Sequence, residues 1–425
     1  MQARTILARD NTRDGSGGLA ERVTLALAER LTHGQLTLHL PDGRTRVFTG
    51  DAAGPAAEIT LRSPQVFRRL LSGGELGLAE AYMDGGWDTP DLTALITLGA
   101  LNEDVLERTL AGNLWGRLMS QAVHALRPNS RRGSRRNIAA HYDLGNDFYS
   151  AWLDPSMTYS AALFSGAGDD ALEAAQARKY RRMAELAEIT ADHHVLEIGC
   201  GWGGFCTWAA AAIGCRVTAI TISEAQYAYT RERVRAAGLA DRVEVRLQDY
   251  RDLTGSFDAI VSIEMLEAVG EAYWPLYFRR LRERLRPGGR AALQVITIAD
   301  DRFDSYRRGV DFIQRYIFPG GMLPSPAVVR GLTAEAGLGV ARVSRHGADY
   351  ARTLALWRAR FERAWPAIAA GGGGRFDERF HRMWRYYLAY CEAGFEIGRI
   401  DLLHLGLTRD ELAREDPTRE AAPGA

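Results

Sequence analysis

The residues best suited to chemistry in this 425-residue chain fall in short segments, most of which directly follow an apolar run. The first is Glu197-Ile198-Gly199-Cys200-Gly201-Trp202-Gly203-Gly204-Phe205. Glycines directly after a strand let the backbone turn tightly and come close to a bound molecule. A glycine-rich turn alone is a weak signal, because dinucleotide sites use a similar one. Here the order is E-x-G-x-G-x-G, with an acid just ahead of the turn. Two later runs end in Thr221-Ile222-Ser223-Glu224-Ala225-Gln226 and in Gln248-Asp249-Tyr250. Their side chains could reach polar groups of the same ligand; each segment alone could equally be capping and turn chemistry. A fourth run leads into Ser262-Ile263-Glu264-Met265-Leu266-Glu267-Ala268-Val269-Gly270. A carboxylate beside an apolar pocket has a raised pKa and suits a general base. Either Glu264 or Glu267 could be that acid, and Glu267 could instead serve a helix N-terminus. Tyr350 could act through its hydroxyl or be a core tyrosine. His141 reads as a packing or capping residue.

The elements that must carry these residues follow from periodicity. From about Thr190, short apolar runs alternate with helical stretches: Val195–Ile198, Arg216–Ile220, Val243–Leu247, Phe257–Val261 and Arg290–Ile298 are the strands. Helices are expected around Glu224–Ala237 and Tyr273–Leu285. This rhythm predicts an α/β fold, a doubly wound and mainly parallel sheet that binds ligands at the carboxyl ends of its strands. Ahead of it, Leu36, Leu38 and Leu40 alternate, then a Pro41-Asp42-Gly43 turn, then Val47 and Thr49, which predicts a hairpin. Ala57–Leu61 is a third strand, with helices around Ser63–Leu71 and Leu76–Met83. The chain is read as a small N-terminal α+β domain at 1–112, a basic linker at 113–137, a sheet domain at 138–417 and a frayed tail at 418–425.

Composition narrows the classes. Lys plus Arg equals Asp plus Glu at 53 each, so no global field recruits nucleic acid. The basic cluster Arg127, Arg131, Arg132, Arg135 and Arg136 is read either as a solvated connector or as a surface for anionic phospholipid heads. The four cysteines show no CxxC pair or zinc-ligand spacing, so neither a metal site nor a disulfide framework is expected, in keeping with a cytoplasmic location. No apolar run approaches membrane-spanning length and the start lacks a secretory signal. Any lipid must therefore be met at the membrane surface.

The glycine turn resembles motif I of class I S-adenosylmethionine methyltransferases. Further segments resemble a narrower family: His141-Tyr142-Asp143-Leu144-Gly145-Asn146-Asp147-Phe148-Tyr149, Leu153-Asp154-Pro155-Ser156-Met157-Thr158-Tyr159-Ser160, the Glu264–Gly270 segment, Arg315-Tyr316-Ile317-Phe318-Pro319-Gly320-Gly321, and Asp349-Tyr350-Ala351-Arg352-Thr353-Leu354. Together, from about Asn137 to Leu405, the chain is similar to the cyclopropane fatty acid synthases and mycolic acid methyltransferases. The resemblance implies a class I methyltransferase (Rossmann-like) sheet and one-carbon transfer from S-adenosylmethionine to the double bond of an unsaturated phospholipid acyl chain. It implies peripheral action at the inner membrane surface and allows a homodimer. An alkene becomes a carbocation on methylation and needs a water-excluding pocket. Carried over by position, Tyr159, Ser160, Gly199, Gly201, Thr221, Gln226, Gln248 and Asp249 contact the cofactor, while Glu267 and Tyr350 are catalytic.

In that family a bicarbonate ion takes the proton, held by a glutamate, a tyrosine, a cysteine, a histidine and a backbone amide. Here Ala161 stands at the cysteine position and Ile296 at the histidine position, with Ile298 at the backbone amide. Either fewer groups hold bicarbonate, or Glu267 takes the proton itself, directly or through water. Ring closure would give a cyclopropane; proton loss elsewhere would give a methylene or a methyl branch. The aromatic set Trp357, Phe361, Trp365, Trp384, Tyr386, Tyr387 and Tyr390 is expected in the core, where part of it could wall an acyl tunnel. Val310–Pro326 is a candidate lipid entrance. Two other readings stay open: an amine methyltransferase of the same core, which would lack the hairpin-bearing region, and a lipid-binding homologue without catalysis.

Overall fold

The computed structural model describes residues 18–103, 144–166 and 171–409. The basic linker, the C-terminal tail and His141 lie outside the described residues. The chain divides into two compact units, Met1–Asn113 and Leu114–Ala425.

In the first unit, strands β1 (His33–His39) and β2 (Thr45–Thr49) form the expected antiparallel hairpin. Gly43 takes φ +87°, and the Asp42 carboxylate accepts the Arg44 backbone N–H at 3.1 Å, which fixes the turn. β3 (Ala52–Leu61) starts earlier than its apolar end suggests and pairs parallel to β1. β4 (Trp87–Asp88) completes the order β2-β1-β3-β4. The two helices expected after β3 are one helical stretch, Gln65–Met83, broken at Gly74, where φ is 56° and ψ is −137°.

The second unit holds a seven-stranded sheet in the order β10-β11-β9-β8-β5-β6-β7. Its strands are β5 (His194–Ile198), β6 (Arg216–Thr221), β7 (Val243–Leu247), β8 (Phe257–Ile263), β9 (Leu285–Ile298), β10 (Gly339–Arg345) and β11 (Ile400–Thr408). β5 to β9 run parallel; β11 is antiparallel to both β9 and β10. Alternating side chains feed two cores, one on each face. Leu196, Ile220, Ile260 and Leu293 pack with Phe278 and Leu281. Val195, Val217, Ala219 and Val261 pack with Phe205 and Met183. Both faces are thus covered, as a parallel sheet requires.

The strand order reverses between β5 and β8, whose neighbours on their far sides are β6 and β9. Ligands in such sheets bind in the crevice at that switch point, beyond the carboxyl ends of the strands. The segments that leave β5 and β8 there are the glycine turn and the Glu264–Gly270 segment.

The core on this face should be unforgiving. Ile260 is fully buried in the middle of β8, so Ile260→Ala should cost about 2–5 kcal/mol in urea unfolding and Ile260→Val about 0.5–1.5 kcal/mol. A loss below ~0.5 kcal/mol for the alanine variant would contradict this packing.

Candidate active site

The glycine turn is held by β6. Gly199 and Cys200 both donate backbone N–H groups to the Ile220 carbonyl at 3.0 Å. Gly199, Gly201 and Gly203 have φ of +83°, +53° and +81°, a region that L side chains seldom enter. A Cβ on Gly199 would lie 2.8 Å from Met265 Cγ, so the turn and the segment after β8 are in direct contact. The ends of β6 and β7 join the same line, because Gln248 N–H donates to the Thr221 carbonyl at 2.9 Å.

The predicted cofactor residues are brought together here, with some of their polar atoms already engaged. Thr221 Oγ1 donates to Gln226 Oε1 at 2.9 Å, and Gln248 Nε2 donates to the Asp252 carbonyl at 3.0 Å. Asp249 grips Arg251 with both oxygens, at 2.9 and 2.6 Å, so its charge is neutralised within its own turn. Tyr159 shares a 2.7 Å hydroxyl hydrogen bond with Tyr387, and its ring lies 5.3 Å from Trp357 and 6.5 Å from Phe318. Ser160 Oγ accepts from Lys179 Nζ at 2.7 Å. Glu197, the acid ahead of the turn, is 3% exposed and its Oε2 has no hydrogen-bond partner. Burial lifts its pKa to about 8. A buried carboxyl oxygen without a partner, beside a glycine cradle, fits a cationic group such as the amino group of a bound methionine moiety.

The loop Tyr159–Phe164 is fixed from the helix Gly347–Gly371. Ala162 N–H donates to Thr353 Oγ1 at 3.1 Å and Phe164 N–H to Asp349 Oδ1 at 2.9 Å. The same helix supplies Tyr350, buried and stacked on Phe395 at 4.4 Å. Its hydroxyl donates to Glu264 Oε2 at 2.6 Å, so the tyrosine is tied to Glu264 and not to Glu267. Glu264 Oε1 accepts from Ala161 N–H at 2.8 Å and from Gln294 Nε2 at 2.7 Å.

Glu267 is held differently. Its Oε1 accepts from Ile296 N–H at 2.5 Å, while Oε2 is shielded from solvent and has no partner. Burial first, then repulsion by Glu264, push its pKa up to about 8. Its own backbone carbonyl accepts from Met322 N–H at 2.9 Å, which seats the Val310–Pro326 segment beside it. Within that segment Ile313–Ile317 is a π-helical turn, a distortion frequent at functional sites.

Most of the groups expected around bicarbonate already have protein partners. Ile298 N–H donates to the Pro324 carbonyl at 3.0 Å, and Ile296 N–H goes to Glu267. The Tyr350 hydroxyl goes to Glu264, and Ala161 and Ile296 carry no polar side chain. Among the described residues no group of three His, Cys, Asp or Glu side chains could hold a metal.

The sequence of the mycolic acid cyclopropane synthetase family matches residues 129–405. This chain belongs to that family. Over 91% of its length it is 40% identical to a tuberculostearic acid methyltransferase of Mycobacterium tuberculosis, of which 91% is covered. It is 36% identical to the cyclopropane-fatty-acyl-phospholipid synthase of Escherichia coli K12, with 83% of this chain and 88% of that one covered. Among solved structures, a mycolic acid cyclopropane synthase complexed with SAH and CTAB matches with a TM-score of 0.60 at 29% identity, covering 64% of this chain and 98% of that one. A coclaurine N-methyltransferase shares the fold at 20% identity, TM-score 0.60, over 78% of this chain and 99% of that one. The enzyme is an S-adenosylmethionine-dependent lipid methyltransferase of the cyclopropane fatty acid synthase family, with the class I methyltransferase fold.

Several site residues escaped the sequence reading: Lys179, Gln176 (whose Nε2 donates to the Ser160 carbonyl at 3.0 Å), Gln294, His404 (2.9 Å from Gln294 Oε1) and the anchored state of Glu264. One signal was available. Leu172, Ala175, Gln176, Lys179, Tyr180 and Met183 follow the buried stripe of one helix, so two long polar side chains sat on an apolar face. Lys179 is fully buried, and burial pulls its pKa down to about 8 against the pull of Glu264, Asp154 and Glu197.

Glu267 also makes stability depend on pH. Its folded pKa near 8 exceeds the ordinary carboxyl value of 4.5, so the folded state binds the extra proton between these values. Compared with Glu267→Gln, the wild type should lose stability as pH rises from 5 to about 8, at no more than about 1.4 kcal/mol per pH unit, and then level off. Urea unfolding of both proteins across this range checks it; parallel curves would contradict the shift. The charged and titratable groups facing Glu267 are Glu264 and, from the helix Trp274–Arg284, Tyr277.

Proposed function

We propose that the enzyme methylates the double bond of an unsaturated phospholipid acyl chain and that Glu267 accepts the proton that leaves the resulting cation. The observation that supports this most is Glu267 Oε2, a buried carboxyl oxygen without a partner on a segment touching the glycine turn. S-adenosylmethionine supplies an electrophilic methyl group. The glycine turn, the Glu197 carboxyl and the Tyr159-Ser160 pair would hold it, with Thr221, Gln226, Gln248 and Asp249 along the strand ends. Tyr159, Phe318, Trp357 and Tyr387 form an aromatic wall that excludes water from the cation. The alkene π pair becomes the bond to the new carbon, and the sulfur keeps the pair of the broken S–C bond. Loss of a C–H proton to Glu267 Oε2 leaves its electron pair to form either a new C=C bond or the third side of a ring.

The product reading is a one-carbon branch, formed first as a methylene or displaced alkene. The tuberculostearic acid methyltransferase at 40% identity and the missing side chains at Ala161 and Ile296 favour it. A cyclopropane is the second reading, favoured by the synthase at 36%. Access to the lipid is from the membrane surface: no helix among the described residues is long and apolar enough to cross a membrane.

Expression in a host lacking such an enzyme, with mass spectrometry of its fatty acids, tests the reading. Monounsaturated chains should gain one CH₂, and the branched product should take up hydrogen under mild hydrogenation whereas a cyclopropane should not. Glu267→Gln should abolish the gain, a rate loss of about 10²-fold or more, while still binding S-adenosylmethionine. Unmodified chains alongside methylation of an added amine would overturn the acceptor class; a fully active Gln variant would overturn the base.

A further inference from the structure

We infer that Glu264 is a built-in anion that occupies the role of a dissociable bicarbonate, making this enzyme independent of any added small anion. The inference rests on the reaction proposed above.

The backbone at Glu264 has φ +49°, a left-handed conformation rare for a residue with a long side chain. A position that suits glycine carries a glutamate instead, and such strain persists only where the surroundings over-determine it. Those surroundings are the three donors on its carboxylate: Ala161 N–H, Gln294 Nε2 and the Tyr350 hydroxyl. Its own N–H is also bound, to the Gln294 carbonyl at 2.8 Å.

The donors are themselves fixed. Gln294 Nε2 faces two pure acceptors, Glu264 Oε1 at 2.7 Å and the Ala161 carbonyl at 3.3 Å. Its amide oxygen must therefore face His404 Nε2, 2.9 Å away, and that nitrogen must carry the hydrogen. His404 is buried and its Nδ1 has no partner, which fits a neutral imidazole with its hydrogen on Nε2. The His404 ring lies 4.2 Å from that of His346, tilted by 37°, and His346 is anchored in turn by Ser344 and Asp349. Lys179, buried beside Ser160, supplies the positive charge nearest this network.

The same contacts occupy what bicarbonate would need. Two of the groups expected to bind it, the Tyr350 hydroxyl and the Glu267 carboxyl, meet Glu264 as hydrogen-bond partner and as neighbouring charge. Ala161, at the expected cysteine position, contributes its backbone N–H to Glu264. Burial raises the pKa of Glu264, while Tyr350, Ala161, Lys179 and Gln294 all pull it back toward the charged form. Glu264 is thus the better placed of the two acids to hold the negative charge, and its repulsion keeps the proton affinity of Glu267 high. It acts through Glu267 and the cation's field, as a positioning residue.

The test uses the purified full chain, S-adenosylmethionine, and vesicles of monounsaturated phosphatidylglycerol, assayed in carbon-dioxide-depleted buffer and again with bicarbonate or formate added. The wild type should run at the same rate in all three. Glu264→Gly relaxes the backbone and vacates the anchored site; it should lose on the order of 10²-fold in rate and regain part of it with bicarbonate or formate. Glu264→Gln fills the site without charge and should be slow and unrescued. A wild type that slows without bicarbonate overturns the inference with no variant needed, as does a Glu264→Gly enzyme as fast as wild type. A wild type that binds S-adenosylmethionine but gives no lipid product in any buffer overturns the reaction reading itself, and this inference with it.

Discussion

Two part-buried carboxylates three positions apart, in a site that desolvates both, cannot ionise independently. Burial penalises each charge, and each charge penalises the other. The structure resolves the conflict by unequal solvation. Glu264 receives three donors and faces Lys179; Glu267 receives one backbone N–H and leaves an oxygen bare. Burial raises the pKa of both acids, but the donors on Glu264 oppose the rise, so it is the better placed to hold the negative charge, and Glu267 is driven up to about 8. Pairs of acids separated in this way divide their roles between a standing charge and a proton acceptor.

The fold sets up that inequality from distant parts of the chain. β8 delivers both acids to the switch point of the sheet. β9 contributes Gln294 and the Ile296 N–H, β11 contributes His404, and the helix Gly347–Gly371 contributes Tyr350. The antiparallel insertion of β11 beside β9 matters here. His404 pairs in register with Gln294, so the amide that grips Glu264 is oriented by its cross-strand neighbour. Polar groups buried this way are costly unless satisfied, and once satisfied they admit a single arrangement.

This division explains what could be read in the sequence. The alternation of short apolar runs and helices carries the sheet, and the glycines after β5 carry the turn, because both are local patterns. The hairpin around Pro41-Asp42-Gly43 is local as well. Tyr350 could be singled out by resemblance, but its partner could not. Which of two nearby acids a tyrosine on a helix about 85 positions away will touch is decided by packing, not by spacing. Lys179 left a faint trace as a cation on a buried stripe. The His404-Gln294 link left none, since a strand pairing out of sequence order has no local signature.

A charge beside a carbocation carries a risk of its own. A free carboxylate would not only stabilise the cation but attack it, and an ester would end the reaction. Nucleophilicity resides in the lone pairs, and hydrogen bonds withdraw them. On Glu264 both oxygens are bonded, Oε1 twice and Oε2 by a tyrosine hydroxyl, so three of its four lone pairs are engaged while its charge is still felt at a distance. Glu267 escapes the same hazard in another way. Its raised proton affinity directs it toward taking a proton. The ionised fraction is held through Oε1 by the Ile296 N–H. In the proposed reaction its geometry need only favour a hydrogen of the new carbon over the cationic centre itself. The three-donor clamp on Glu264 therefore serves selectivity as much as stability: it lets an intramolecular anion sit near a carbocation without becoming part of the product.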